Sequence, residues 1–351
     1  MSILFAILLF SLLIFVHELG HFVAAKLSGV QVNEFSMFMG PAIWKKQKGE
    51  TLYAIRTIPI GGYCAMEGED GNSDNPRAFH RAAWWKRLII LLAGAFMNFV
   101  VGILIFAVLY MPVETVSDAV LTEFTECCTF NRPDALQLGD QILSLDGEKI
   151  YVLNDVSLLL GIDEDGVHDV TVLRNGEKLT FKDLPMGHTH VDENGEEYRH
   201  YGISFGRARK ADLGDKLLFV WNMTLDNVRN VRLSLNMLFT GKAGFGDMTG
   251  VVGIVDMMAE TAEQSETVTA AILNMLYFGG FIAINLGVMN LLPIPALDGG
   301  RAVCLLLTTV VEAITRKKIN PKYEGYIHGV GMILLLGLMA VITFKDIWNL
   351  F

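Results

Sequence analysis

The chain has 351 residues, 52% of them hydrophobic and 19% charged, with a net charge of −10 and a mean hydropathy of +0.40. Soluble domains carry about 25% charged residues, so these totals exclude an ordinary soluble protein. The acidic balance argues against nucleic acid as a partner.

The first element is an apolar run from Met1, with no Lys or Arg before Lys26. It lacks the basic start of a signal peptide, and "AAKLSGV" is a poor cleavage site, so it reads as a retained membrane helix. Val32 to Phe38 and Leu52 to Ile60 follow as short strands broken by Pro59, Gly61 and Gly62. Residues 88–113 and 267–297 hold no charge, and Gly329 to Phe344 is a third such run after the N-terminal one. A helix needs about 20 mostly apolar residues to cross a bilayer, which gives four spans.

Between the second and third spans the period changes. Residues 140–150 and 168–181 read as strands around Asp-Gly and Asn-Gly turns, inside a β-rich domain. Its tail holds His188, His190 and His200, whose spacing follows no ligand pattern; a polar surface loop is the reading. Residues 213–240 read as an amphipathic helix suited to the membrane surface, a partner groove or this protein's own domain. The expected architecture is thus a polytopic α-helical membrane protein with about four transmembrane helices, short membrane-associated strands and an outer β-rich domain. Its divisions are 1–113, 114–210, 211–262 and 263–351.

Charge placement sets the orientation. Residues 26–87 carry nine Lys or Arg, and Arg301, Arg316, Lys317, Lys318 and Lys322 lie between the last two spans. Both loops are expected to be cytoplasmic, leaving both termini and residues 114–216 outside. That outer segment holds 21 acidic against ten basic residues, so the chain's acidity is local. Cys127 and Cys128 are adjacent, a poor geometry for a relaxed disulfide, and are read as packing residues.

The chemistry lies in "FVHELGHF", residues 15–22. Positions i and i+4 share a helix face, so His17 and His21 can hold one zinc ion while Glu18 takes a proton from its water. Ionisable groups in a span are functional by default. Catalytic zinc usually has three protein ligands, which calls for another donor at membrane depth. "MNLLPIPALDGGR", 289–301, supplies Asp298, the first charge after 31 uncharged residues. Pro293 and Pro295 break the helix there. An interfacial capping Asp is the plain reading; beside the histidine pair, a third ligand is favoured. Asn98, in mid-span, reads as an interhelical hydrogen-bonding residue.

These two motifs resemble those of the site-2 proteases, intramembrane zinc metalloproteases, and of their bacterial members with an extracytoplasmic PDZ domain. "NLLPIPALDG" matches the family's Asn-x-x-Pro-x-Pro-x-Leu-Asp-Gly pattern, and "IPIGGYCAMEGE" (58–69) and "AGAFMN" (93–98) add to the likeness. The resemblance implies zinc bound by His17, His21 and Asp298, with Glu18 as catalytic acid/base and Asn290 at the substrate or transition state. "NRPDALQLGDQILSLDGEKI" resembles a PDZ segment, although 114–130 shows no Gly-rich carboxylate-binding loop.

The implied reaction is hydrolysis of peptide bonds in or near the span of a single-span membrane protein, such as an anti-sigma factor first trimmed by a site-1-type protease, or a remnant signal peptide. With the N-terminus outside, a rise of 1.5 Å per residue puts His17 about 24 Å into a core about 30 Å thick, toward the cytoplasm. Residues 51–58 are expected to hold an unwound substrate by edge pairing. Two rivals remain: a non-catalytic adaptor recruiting partners through the PDZ-like domain, which leaves Glu18 without a use, and a metal transporter, for which the internal repeat is missing.

Overall fold

The computed structural model describes residues 2–69, 73–124, 135–162, 165–191, 197–317 and 322–349. Cys127 and Cys128 lie outside them, as do residues 131–134 of the PDZ-like stretch. The chain divides into two compact units, Met1–Phe106 with Asn227–Phe351, and Ala107–Asp226.

The first unit opens with α1 (Ser2–Ser28) and a pair of long antiparallel strands, β1 (Val32–Lys48) and β2 (Thr51–Met66). After α2 (Trp84–Tyr110) and the second unit come α5 (Val251–Glu263), α6 (Val268–Leu291), α7 (Asp298–Thr315) and α8 (Lys322–Asn349). Among the described residues, four helical stretches are long and apolar enough to cross a membrane: Phe5–Ser28, Trp84–Tyr110, Val268–Leu291 and Glu324–Trp348. Their large side chains divide between helix contacts and the outside. Leu9 and Leu13 are buried while Leu8 and Leu12 are exposed, and α8 leaves Val330, Ile333, Leu334 and Val341 uncovered. Such an exposed apolar surface has a low-energy place in lipid.

Two clusters hold this unit together. Leu9 and Leu13 of α1 pack with Met258 of α5 and Ile282 and Ala283 of α6. Ala25, Phe35, Cys64, Ile90, Leu91 and Leu305 join α1, the strand pair, α2 and α7. Burial pushes the Cys64 thiol well up, so it packs as an apolar side chain. Between α6 and α8 the sequence alone suggests a loop. Instead, α7 is an amphipathic helix with Gly299, Gly300, Ala302 and Leu305 buried and Leu307, Val310 and Ile314 exposed.

The strands are longer than the sequence suggests because each folds back on itself. Phe38 and Gly40 bend β1, and Gly61 bends β2, all with positive φ. Consequently Glu34–Met37 lies opposite Leu52–Ile55 on one side and Gly62–Ala65 on the other, while Trp44–Gln47 covers the far side of Leu52–Ile55. The 51–58 segment, expected to be a pairing edge, is therefore interior at 52–55. Two outer edges remain among the described residues, the 44–48 arm of β1 and the 62–66 arm of β2, each paired on one side only.

The second unit contains a sheet ordered β10–β3–β4–β6–β7, with β5 on β4: β3 (Thr115–Phe124), β4 (Gln141–Leu145), β5 (Glu148–Lys149), β6 (Val167–Arg174), β7 (Glu177–Pro185) and β10 (Ile203–Lys210). Both expected turns are present. Asp146–Gly147 and Asn175–Gly176 have positive φ at both positions, the type I′ geometry that matches strand twist. Helix α3 (Asn154–Ile162) buries Val156, Leu159 and Leu160. Asp140, 1% exposed, receives both Nε and Nη2 of Arg174 at 2.7 Å. His188 and His190 fall on β8 (His188–Val191) and His200 on β9 (Glu197–His200), a separate hairpin rather than a loop. The expected amphipathic helix is α4 (Leu213–Thr240).

Candidate active site

The histidines expected to share a helix face do so in the C-terminal half of α1, with Nε2 atoms 3.2 Å apart. Asp298 arrives from the far end of the sequence. Its Oδ2 lies 3.1 Å from Nε2 of His17 and 3.3 Å from Nε2 of His21. It reaches them because α6 stops at Leu291 and residues 292–297 turn the chain into α7, which begins with Asp298. A carboxylate in a first helical turn also suits the helix dipole.

That turn is tightly built. A Cβ on Gly299 would sit 2.3 Å from the Leu291 carbonyl, and one on Gly300 2.1 Å from the Ile294 oxygen. The two glycines thus permit a close fold-back rather than simply loosening the helix. Ala296, at φ 80°, donates its N–H to Nδ1 of His328 on α8 at 3.0 Å, and Gly331 leaves space for Pro295. Neither His328 nor Gly331 stands out in the sequence, since both lie in or near an apolar run. Arg301 donates to Glu69 at 2.6 Å, tying α7 to the residues after β2.

On the other side, α2 approaches α1 at glycine contacts. A Cβ on Gly20 would meet the Ala93 oxygen at 2.3 Å, and one on Gly94 would meet His21 Nε2 at 2.4 Å. Nδ1 of His21 donates to the Ile90 carbonyl at 2.8 Å. A carbonyl only accepts, so Nδ1 carries a proton, and in the neutral ring Nε2 bears the lone pair.

In the neutral ring, Nε2 of His21 turns its lone pair toward Oδ2 of Asp298, which is buried without a hydrogen bond. Electron-pair donors grouped this way need a cation among them. A tetrahedral zinc with ligands at about 2.0–2.1 Å has ligand–ligand edges of about 3.3–3.4 Å, close to the observed 3.1, 3.2 and 3.3 Å. Two nitrogens and one carboxylate oxygen also form a usual catalytic zinc set, which leaves a fourth position open.

Glu18 follows His17 on α1, and a Cβ on Gly62 would lie 3.6 Å from its Cγ. The free edge of β2 thus runs beside Glu18. Asn290 is placed at the other nitrogen of His17, with Nδ2 3.4 Å from Nδ1. Asn98 does bond a neighbouring helix as expected, and its target is the same Nδ1, again at 3.4 Å.

The sequence profile described as Peptidase family M50 matches residues 5–338. The chain belongs to this family. It is a zinc-dependent membrane peptidase. A candidate zinc metalloprotease of Clostridium perfringens is 35% identical over 351 residues, covering 99% of this chain and 98% of the relative. One of Fusobacterium nucleatum is 35% identical over 358 residues, covering all of both. The regulator of sigma-W protease RasP of Bacillus subtilis is 28% identical over 428 residues, covering 98% of each chain. The M50 membership accounts for the apolar spans and the donor cluster together, and it sets aside the adaptor and transporter readings.

Proposed function

We propose that this M50 peptidase cuts single-span membrane proteins within or near their spans, with His17, His21 and Asp298 as zinc ligands and Glu18 as general acid/base. The observation that carries the assignment is the triangle of two imidazole nitrogens and one carboxylate oxygen, with sides of 3.1, 3.2 and 3.3 Å. Bound there, zinc supplies Lewis-acid chemistry and lowers the pKa of water toward 7. Glu18, on the same helix turn, accepts the proton of the attacking water and passes it to the leaving amide nitrogen. Asn290, half-buried, is positioned to donate its amide to the developing oxyanion.

A helical substrate hides its carbonyls in its own hydrogen bonds, so it must unwind before cleavage. The free edge of β2 at residues 62–66 offers backbone partners to an unwound strand beside Glu18. This supports edge pairing at Gly62, in place of the interior 51–58 segment.

The loop charges support cytoplasmic placement of the strand pair and of α7, with both termini and the β-rich unit outside. We read that unit, with its five-stranded path and covering helix, as a PDZ-like domain that restricts access to the site. The name of the Bacillus subtilis relative, regulator of sigma-W protease, supports an anti-sigma factor as one substrate class, with a site-1-type protease trimming it first; remnant signal peptides are the other class. Purified protein in detergent, given a single-span protein with and without its outer domain, tests this. A cut mapped inside or beside the span, faster after trimming, is the expected result. Cleavage of soluble peptides only would replace it.

A further inference from the structure

We infer that Asn98 is a positioning residue, its carboxamide oxygen accepting the Nδ1–H of His17 so that Nε2 of that ring is left to bind metal. The inference rests on the zinc reading above. For His17 to offer Nε2 as a donor, its single ring proton must sit on Nδ1. A buried N–H needs an acceptor. Two carboxamides, those of Asn98 and Asn290, lie at 3.4 Å from that nitrogen. Oxygen and nitrogen of a carboxamide exchange places by a half-turn, and the hydrogen-bond network decides which faces a donor.

Burial separates the two candidates. Asn98 is 1% exposed, and its Oδ1 is buried with no hydrogen-bond partner. Asn290 is half-buried and so can face a substrate. Turning the Asn98 oxygen toward His17 satisfies the ring proton and the orphaned acceptor in one contact.

The spacing on α2 supports the same assignment. Ile90, Gly94 and Asn98 recur every four residues and so form one stripe on the helix. The Ile90 carbonyl holds Nδ1 of His21, Gly94 leaves room for both rings, and Asn98 stands at Nδ1 of His17. Each histidine on α1 thus has its outer nitrogen held from α2, one turn apart. Such outer partners fix the tautomer and the ring angle of a ligand and raise its basicity.

The test compares Asn98→Leu, Asn98→Asp, Asn290→Leu and His21→Ala with wild type, all as full chains in detergent. Zinc affinity is measured by chelator competition and ligand geometry by the visible spectrum of the cobalt-loaded protein. Asn98→Leu, which removes the acceptor at similar size, should bind zinc about 10–100-fold more weakly. Asn98→Asp keeps an acceptor, so it should hold zinc at least as tightly as wild type. Its carboxylate should also shift the cobalt band by drawing harder on the His17 proton.

Wild-type affinity in Asn98→Leu, or an unshifted cobalt band in Asn98→Asp, overturns the inference. The second readout still decides if the leucine variant does not fold. Loss in Asn290→Leu with none in Asn98→Leu assigns the acceptor to Asn290 instead. His21→Ala separates the two levels: if it binds zinc like wild type, the ligand assignment itself fails. If it loses zinc while Asn98→Leu keeps it, only the role of Asn98 fails.

Discussion

His17 and Asp298, near opposite ends of the chain, bring Nε2 and Oδ2 to within 3.1 Å of each other. That contact closes the donor set, because α1 alone supplies only two donors to it. Asp298→Ala should therefore cost zinc affinity by more than the roughly 10–100-fold typical of outer-shell changes, and cleavage should fall with it. Zinc content after dialysis against a weak chelator checks this.

Gly94 offers a test of the close approach between α1 and α2. Its Cβ position lies 2.4 Å from Nε2 of His21, a distance real side chains do not tolerate. Gly94→Ala should displace the imidazole and lower both zinc content and cleavage. Gly161→Ala on α3, where nothing lies within 4 Å, is the matched control and should change neither.

Much of this was readable in advance, and the gaps have physical causes. The i, i+4 spacing of His17 and His21 and the lone charge at Asp298 follow from helix geometry and the cost of charge in lipid. Type I′ turns at Asp146–Gly147 and Asn175–Gly176 follow from local residue chemistry. Alternation in residues 51–58 identifies a strand but says nothing about how many neighbours it has, so the doubling back of β1 and β2 was hidden. The roles of Gly94, Gly299 and Gly300 were hidden for a similar reason. A close approach between elements is a tertiary fact, and a glycine in an apolar run gives no sign of what it faces. The stripe Ile90, Gly94, Asn98 does carry a signal in its four-residue spacing. It becomes legible only once α2 is known to pack on α1.

The interior position of Ile55 and the edge position of Gly62 make different predictions. Ile55→Pro removes a ladder hydrogen bond between two paired neighbours, so it should lower thermal stability along with cleavage. Gly62→Val sets a Cβ 3.0 Å from the Ser36 carbonyl and 3.6 Å from Cγ of Glu18, so it should crowd the edge and Glu18, lowering cleavage with zinc retained and only a small loss of melting temperature. Melting temperature, zinc content and cleavage rate, taken together, separate the two.

In the second unit, Asp140 is a buried carboxylate held by Arg174 at 2.7 Å and by the N–H of Gln137 at 2.8 Å. Asp140→Ala leaves the guanidinium, itself mostly buried, without its partner. Breaking a buried pair costs roughly 3–5 kcal/mol. Denaturant-dependent proteolysis of the β-rich unit should move to lower denaturant by a corresponding amount.

Glu50 supplies a pH-dependent tie. Its carboxyl accepts from Arg77 and from Lys26 of α1, each at 2.6 Å, and these bonds, that to Arg77 above all, hold its pKa down at about 2 from an ordinary 4.5. A carboxyl depressed on folding stabilises the fold above its unfolded pKa, and that stability drains away as the pH falls from about 4.5 toward 2. The groups are partly exposed, so the effect is modest and salt-sensitive. Glu50→Gln should flatten this part of the acid-unfolding curve and leave neutral-pH cleavage unchanged.

One paired measurement reaches the acid/base role proposed for Glu18. Wild type and Glu18→Gln are purified in detergent, their zinc is quantified, and both are given the same single-span membrane substrate. With Glu18 as the acid/base, both proteins should hold equal zinc and wild type alone should cleave. Cleavage by Glu18→Gln at the wild-type rate, with zinc bound, would contradict that role.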